Sequence, residues 1–134
     1  MNLKIEHIGI AVNDIRNSNE LFRKLFGAAA YKAEQVESEG VSTSFFKIGE
    51  SKVELLQATS PDSPISKFIA KRGEGLHHIA FEVDDIHKEV QRLQSEGFTL
   101  LNPEPKRGAD NKLICFLHPK DTNGVLIELC QEII

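Results

Sequence analysis

Along residues 5–12 the alternation is clear from His7 onward: Ile8, Ile10 and Val12 fall on one side, His7, Gly9 and Ala11 on the other. A period of two is the mark of a half-buried strand. Residues 76–83 repeat the pattern, with Ile79, Phe81 and Val83 opposite His78, Ala80 and Glu82. Each histidine therefore lies on the face away from the apolar stripe, and that stripe is expected to pack under a helix.

The period changes to that of a helix directly afterwards in both places. Asn13 or Asp14 can cap a helix over 15–25, with Leu21, Phe22, Leu25 and Phe26 as its apolar stripe and Gly27 as its stop. Asp84 or Asp85 can cap a second helix over 86–95, with Ile86, Val90 and Leu93 inward and Gly97 as the stop. Three further strands complete each half: 30–37, 41–48 and 51–57 in the first, 99–102, 112–117 and 125–130 in the second. Gly49-Glu50 and Thr122-Asn123-Gly124 supply turn chemistry. Between the halves, Ser60-Pro61-Asp62-Ser63-Pro64, a short amphipathic helix over 65–70 and Lys71-Arg72-Gly73-Glu74-Gly75 form a connector.

The predicted class is α+β, a single domain over 1–134 built of two tandem βαβββ modules, 4–58 and 75–131, whose sheets share a cleft. A half of this size has a poor core by itself, so the halves are expected to share one. The chain's 134 residues, 40% hydrophobic and 27% charged, are those of a globular protein. A net charge of −4 argues against nucleic acid as a partner. No apolar run approaches the roughly 20 residues of a membrane span, and no signal peptide precedes the first strand. Cys115 and Cys130 lie in apolar runs without a CxxC partner, as reduced core thiols of a cytoplasmic protein would.

The repeat also carries chemistry. His7 and His78 are 71 residues apart, and at that same offset Gln57 falls on Glu128. Two His nitrogens, a Gln carbonyl oxygen and a Glu carboxylate suit Zn²⁺, Co²⁺, Mn²⁺, Ni²⁺ or Fe²⁺, and suit Ca²⁺ poorly. His77 has the wrong parity to share the face of His78, and His87 sits on a helix as a solvated residue. His118-Pro119-Lys120-Asp121 lies in the loop between the last two strands and has no counterpart in the first half.

In these segments the chain resembles the vicinal oxygen chelate superfamily, which includes glyoxalases, extradiol dioxygenases and fosfomycin-resistance proteins. Within it, the methylmalonyl-CoA epimerases are the nearest in pattern. The resemblance is carried by His7-Ile8-Gly9-Ile10-Ala11-Val12, Val53-Glu54-Leu55-Leu56-Gln57, Asp62-Ser63-Pro64-Ile65-Ser66-Lys67-Phe68, Gly73-Glu74-Gly75-Leu76-His77-His78-Ile79-Ala80-Phe81-Glu82-Val83-Asp84, and Phe116-Leu117-His118-Pro119-Lys120-Asp121 with Gly124-Val125-Leu126-Ile127-Glu128-Leu129. It implies a divalent metal held by His7, Gln57, His78 and Glu128, with Co²⁺ foremost and Zn²⁺, Mn²⁺, Ni²⁺ or Mg²⁺ as alternatives. It implies proton transfer at the carbon between a thioester and a carboxylate, interconverting the two epimers of an acyl-CoA, with Glu128 as both ligand and acid/base. The family's second acid/base glutamate aligns with Thr43, which carries no carboxylate; Glu37 and Glu39 stand nearby. Lys67, Lys71, Arg72, Lys106, Arg107 and Lys120 are candidates to meet CoA phosphates. The competing readings are a glyoxalase I-like lactoylglutathione lyase and a non-catalytic binding protein of the same fold. A homodimer is the expected assembly.

Overall fold

The protein is described from a computed structural model over residues 3–134. Two compact units divide it, one of residues 7–77 and the other of 78–134 together with the chain up to Glu6.

In the unit of residues 7–77, β1 (Lys4–Ala11) leads into α1 (Ile15–Phe26), then β2 (Lys32–Val36), β3 (Val41–Ile48), β4 (Ser51–Ala58) and α2 (Pro64–Arg72). The strands lie in the order β2-β3-β4-β1, with β1 parallel to β4. Asp14 caps α1 by accepting from the backbone N–H groups of Arg16 and Asn17, and Gly27 closes it at φ 75°, where a Cβ would be strained. Phe22 and Phe26 pack on Phe46, and Ile10, Val12 and Leu55 complete this cluster. The opposite sheet face places Ala11, Val41 and Leu56 against Ile65 of α2.

The apolar stripe of α1 is narrower than expected. Leu21 and Leu25 are 61% and 69% exposed. Each residue turns a helix by about 100°, so once Phe22 and Phe26 face the sheet, their preceding neighbours swing outward.

The second unit repeats the order of elements: β5 (Gly75–Glu82), α3 (Ile86–Ser95), β6 (Lys106–Arg107), β7 (Lys112–Leu117) and β8 (Ile127–Glu132). Its strands lie in the order β5-β8-β7-β6, with β5 parallel to β8. Asp85 caps α3, whose Ile86, Val90 and Leu93 pack with Val83, Cys115, Leu117 and Leu129. The other face of this sheet carries Ala80, Ile114 and Cys130.

Two expected strands differ. Residues 99–102 form no strand beyond a single bridge from Leu100 to Leu117. Pro103 and Pro105 follow and lack the N–H a ladder needs. Asn102 replaces the ladder with its side chain, accepting from Phe116 N–H at 2.9 Å and donating to the Ile114 carbonyl at 3.2 Å. The last strand starts two residues later than expected, at Ile127. Asn123 and Gly124 hold positive φ, and the Thr122 hydroxyl donates to the Val125 carbonyl at 2.6 Å, which lengthens the turn.

The registers of the two parallel pairs settle how the repeat aligns. Gly9 lies opposite Glu54 in the first unit, and Ala80 lies opposite Glu128 in the second. Gly9 and Ala80 are 71 residues apart, but Glu54 and Glu128 are 74 apart. The second half is three residues longer before its last strand. The counterpart of Glu128 is therefore Glu54, and that of Gln57 is Gln131.

Candidate active site

Alternation along β4 decides which side chains share a face. Glu54 and Gln57 are three residues apart and must point to opposite faces. Glu54 points to the side of His7: its Oε1 lies 3.3 Å from His7 Nε2, and both side chains are buried. Gln57 points to the helix side, where its Oε1 accepts from the Ile15 N–H at 2.8 Å. That N–H is one of the first-turn donors a helix leaves unsatisfied. Gln57, taken from the sequence as a metal ligand beside His7, is thus occupied as a cap of α1.

The second unit repeats this geometry. His78 Nε2 lies 3.3 Å from Glu128 Oε1, again with both side chains buried. Gln131 Oε1 accepts from the Ile86 N–H at 2.8 Å, capping α3 as Gln57 caps α1. Phe116, opposite Glu128 in the register, sets its ring edge against His78 at 6.2 Å between centroids. Buried carboxylates are costly without partners. Here each is set beside a histidine at the same register position.

The sequence did hold a signal for Glu54. Val53-Glu54-Leu55-Leu56-Gln57 matches Ile127-Glu128-Leu129-Cys130-Gln131 position by position once a three-residue gap is allowed. A fixed offset hides the match.

Other candidate residues fall out as follows. Thr43 is buried on the same sheet face as Glu54, and its hydroxyl donates to the Glu34 carbonyl at 3.1 Å. Glu37 and Glu39 lie in a short 3₁₀ turn, with Glu37 exposed. His77 packs edge-on against Phe68 at 4.9 Å, and burial lowers its pKa to about 4. His87 is exposed on α3. His118 Nδ1 accepts from the Lys120 N–H at 3.1 Å, and Asp121 accepts from the Thr99 N–H at 2.7 Å, which lowers the Asp121 pKa. The loop they form is therefore organised from within.

Among the basic candidates, Lys67, Lys71 and Arg72 are exposed on α2, and the Arg72 guanidinium lies 5.9 Å from the Phe68 ring centre. Lys106, Arg107 and Lys120 are also exposed. A pocket of about 340 Å³ beside α2 is lined by Val12, Asn13, Gln57, Ala58, Ser66 and Ile69 among others. Cys115 and Cys130 are buried free thiols, and burial pushes Cys115 up to about 12. Among the described residues, no helix is long and apolar enough to cross a membrane.

The family model for the glyoxalase/bleomycin resistance protein/dioxygenase superfamily matches residues 6–116. The chain belongs to this superfamily. Its fold is the vicinal oxygen chelate fold, α+β with two βαβββ modules. A mitochondrial methylmalonyl-CoA epimerase of Dictyostelium discoideum is 41% identical over 96% of this chain and 78% of its own length. An ethylmalonyl-CoA/methylmalonyl-CoA epimerase of Cereibacter sphaeroides is 38% identical over 96% of this chain and 97% of its own length. Among solved structures, a single-residue variant of Streptomyces coelicolor methylmalonyl-CoA epimerase, in complex with 2-nitronate-propionyl-CoA, superposes with a TM-score of 0.92. That structure is 39% identical, covering 96% of this chain and 94% of its own.

Proposed function

We propose that this superfamily member is a methylmalonyl-CoA epimerase, an isomerase that interconverts the (R) and (S) forms of its acyl-CoA by proton transfer at the carbon between thioester and carboxylate. The observation that carries this reading is the pair of buried His–Glu contacts, His7 with Glu54 and His78 with Glu128. Relatives bearing that name, each aligned over 96% of this chain, support the substrate. They favour it over the glyoxalase I-like and non-catalytic alternatives.

The donors fit a divalent metal. Two imidazole nitrogens and two carboxylates suit Co²⁺, Zn²⁺, Mn²⁺ or Ni²⁺, and His7, Glu54, His78 and Glu128 would hold the ion. Glu54 replaces Gln57 in this assignment because Gln57 is spent on α1. When bound, the metal would supply electrophilic stabilisation of negative charge on a substrate oxygen.

The chain's own groups do the rest. Glu128 takes or returns the proton at the reacting carbon. Its burial keeps bulk water from competing for that proton. Phe116 and Ile114, on the same sheet face, supply apolar walls. The nitronate bound in the Streptomyces coelicolor structure is a planar anion beside a carbonyl, the shape an enolate of methylmalonyl-CoA also has. For the CoA portion, Lys67 and Lys71 are exposed on α2, the helix whose Ser66 and Ile69 line the pocket, and they would offer charge to phosphates. We assign a cytoplasmic homodimer as the working form; sedimentation at two protein concentrations tests the dimer.

The decisive experiment loads the protein with Co²⁺ and supplies a single methylmalonyl-CoA epimer in D₂O. Inversion with deuterium uptake at the central carbon is expected, and His78→Ala and Glu128→Ala should abolish it. No exchange with any of the four metals would sink the proposal.

A further inference from the structure

Along β7 and β8, the face that carries Glu128 is built of cross-strand rows. Phe116 lies opposite Glu128, Ile114 opposite Cys130, and Lys112 opposite Glu132. Ala80 and Glu82 of β5 extend the first two rows. The middle of the face is apolar: Ala80, Ile114 and Cys130 are buried in one cluster, with Phe116 packed against it. At the far end Lys112 is only 6% exposed. Lysine is almost never buried unless paired. Yet among the described residues Lys112 makes no ion pair: Glu132 is exposed, and Glu82 is paired with Lys4 at 3.6 Å. Its charge is felt in the apolar row nonetheless. Burial and then Glu128 push the Cys130 thiol up, and Lys112 pulls it the other way. The chain before β7 closes on this end of the face. The Gly108 N–H donates to the Lys112 carbonyl at 2.9 Å, and a Cβ on Gly108 would lie 2.6 Å from Ile114 Cδ1.

We infer that Lys112 recognises the free carboxylate of the acyl group, so that the enzyme selects a malonyl-type thioester over a plain acyl-CoA. The inference rests on the epimerase reading above and names what selects its substrate. Such an acyl group has a reacting carbon, an apolar branch and an anionic end. The face offers Glu128, an apolar row and an ammonium in the same order. Lys112 is four residues from Phe116 along β7, about 13 Å of strand, a length shared between the lysine's four-carbon stem and the acyl group. CoA phosphates are the other anions of this ligand. The exposed lysines of α2 suit them better than a buried lysine beside an apolar row.

The test measures, by calorimetry, binding of racemic methylmalonyl-CoA and of propionyl-CoA, which lacks the carboxylate. It compares the Co²⁺-loaded protein with its Lys112→Met and Lys112→Arg variants, and thermal melts check the fold. Methionine keeps an apolar stem and removes the ammonium. The unaltered protein should prefer methylmalonyl-CoA. Lys112→Met should lose about 10- to 100-fold of that preference, the worth of one hydrogen bond to a charged group. Its affinity for propionyl-CoA should not change, and Lys112→Arg should keep most of the preference. If Lys112→Met unfolds, Lys112→Gln carries the same comparison. An undiminished preference without the ammonium overturns the inference and leaves Lys112 as a stem covering apolar surface. Equal weakening of both thioesters also overturns it, because a phosphate contact would act on both alike. So does equal affinity of the unaltered protein for the two. If the unaltered protein binds neither thioester, the epimerase reading itself fails and this inference falls with it.

Discussion

The Oε1 of Glu54 sits 3.3 Å from the Nε2 of His7, and both side chains are buried in the unit of residues 7–77. Glu128 stands to His78 in the same relation, at the same distance. A buried carboxylate retained twice at the same register position is expensive, which is why these contacts, more than any other polar feature, direct the functional reading.

His7→Ala removes one member of that arrangement. Breaking a buried contact to a charged group costs about 1–3 kcal/mol. Urea denaturation of the metal-free protein should show a loss in that range, and the same variant should bind less Co²⁺. A variant as stable and as metal-rich as the unaltered protein would remove His7 from the site.

Gln57 and Glu54 should separate cleanly. Gln57→Ala exposes the Ile15 N–H at the start of α1, and losing such a cap costs about 1 kcal/mol. The midpoint of urea unfolding should fall accordingly, while metal analysis shows no change. Gln131→Ala should behave alike through α3. Loss of metal from Gln57→Ala would restore Gln57 as a ligand.

The two faces of α1 should respond differently to truncation. Phe22 packs on Phe26 and Phe46, so Phe22→Ala should cost about 3 kcal/mol. Leu25, largely exposed, should change stability by less than about 0.5 kcal/mol when replaced by alanine. Thermal melts of the two variants give the comparison directly.

Cys115 should resist alkylation. Burial pushes its pKa up to about 12, so at pH 8 its thiolate is on the order of 10⁻⁴ of the total. The raised value means reactivity returns only as pH climbs toward 12 or the fold opens. Iodoacetamide at pH 8 should leave Cys115 unmodified in the native protein and label it fully in urea; mass spectrometry of the tryptic peptide reads the difference.

Chelation should lower thermal stability. A ligand held at 100 times its dissociation constant adds about 2.7 kcal/mol to the folded state. EDTA should therefore shift the melting temperature down by several degrees, and added Co²⁺ should restore it. A melt insensitive to both would argue against a resident metal.

Much of this molecule was legible in its sequence because short-range physics sets it. Alternation placed β1 and β5 and put His7 and His78 on the faces away from α1 and α3. Asp14, Gly27 and Asp85 marked the helix ends because capping is local. The 71-residue spacing of the histidines revealed the duplication. The tertiary structure decided what depends on register. A three-residue difference in loop length is nearly free for a surface connection, yet an odd shift in a strand reverses every side chain. That is why a fixed offset matched Gln57 to Glu128, whereas pairing of β4 on β1 and β8 on β5 matches Glu54 to Glu128. Hydrogen bonding across the sheet, which no residue's own periodicity encodes, turned Glu54 to His7 and left Gln57 to hold the first turn of α1.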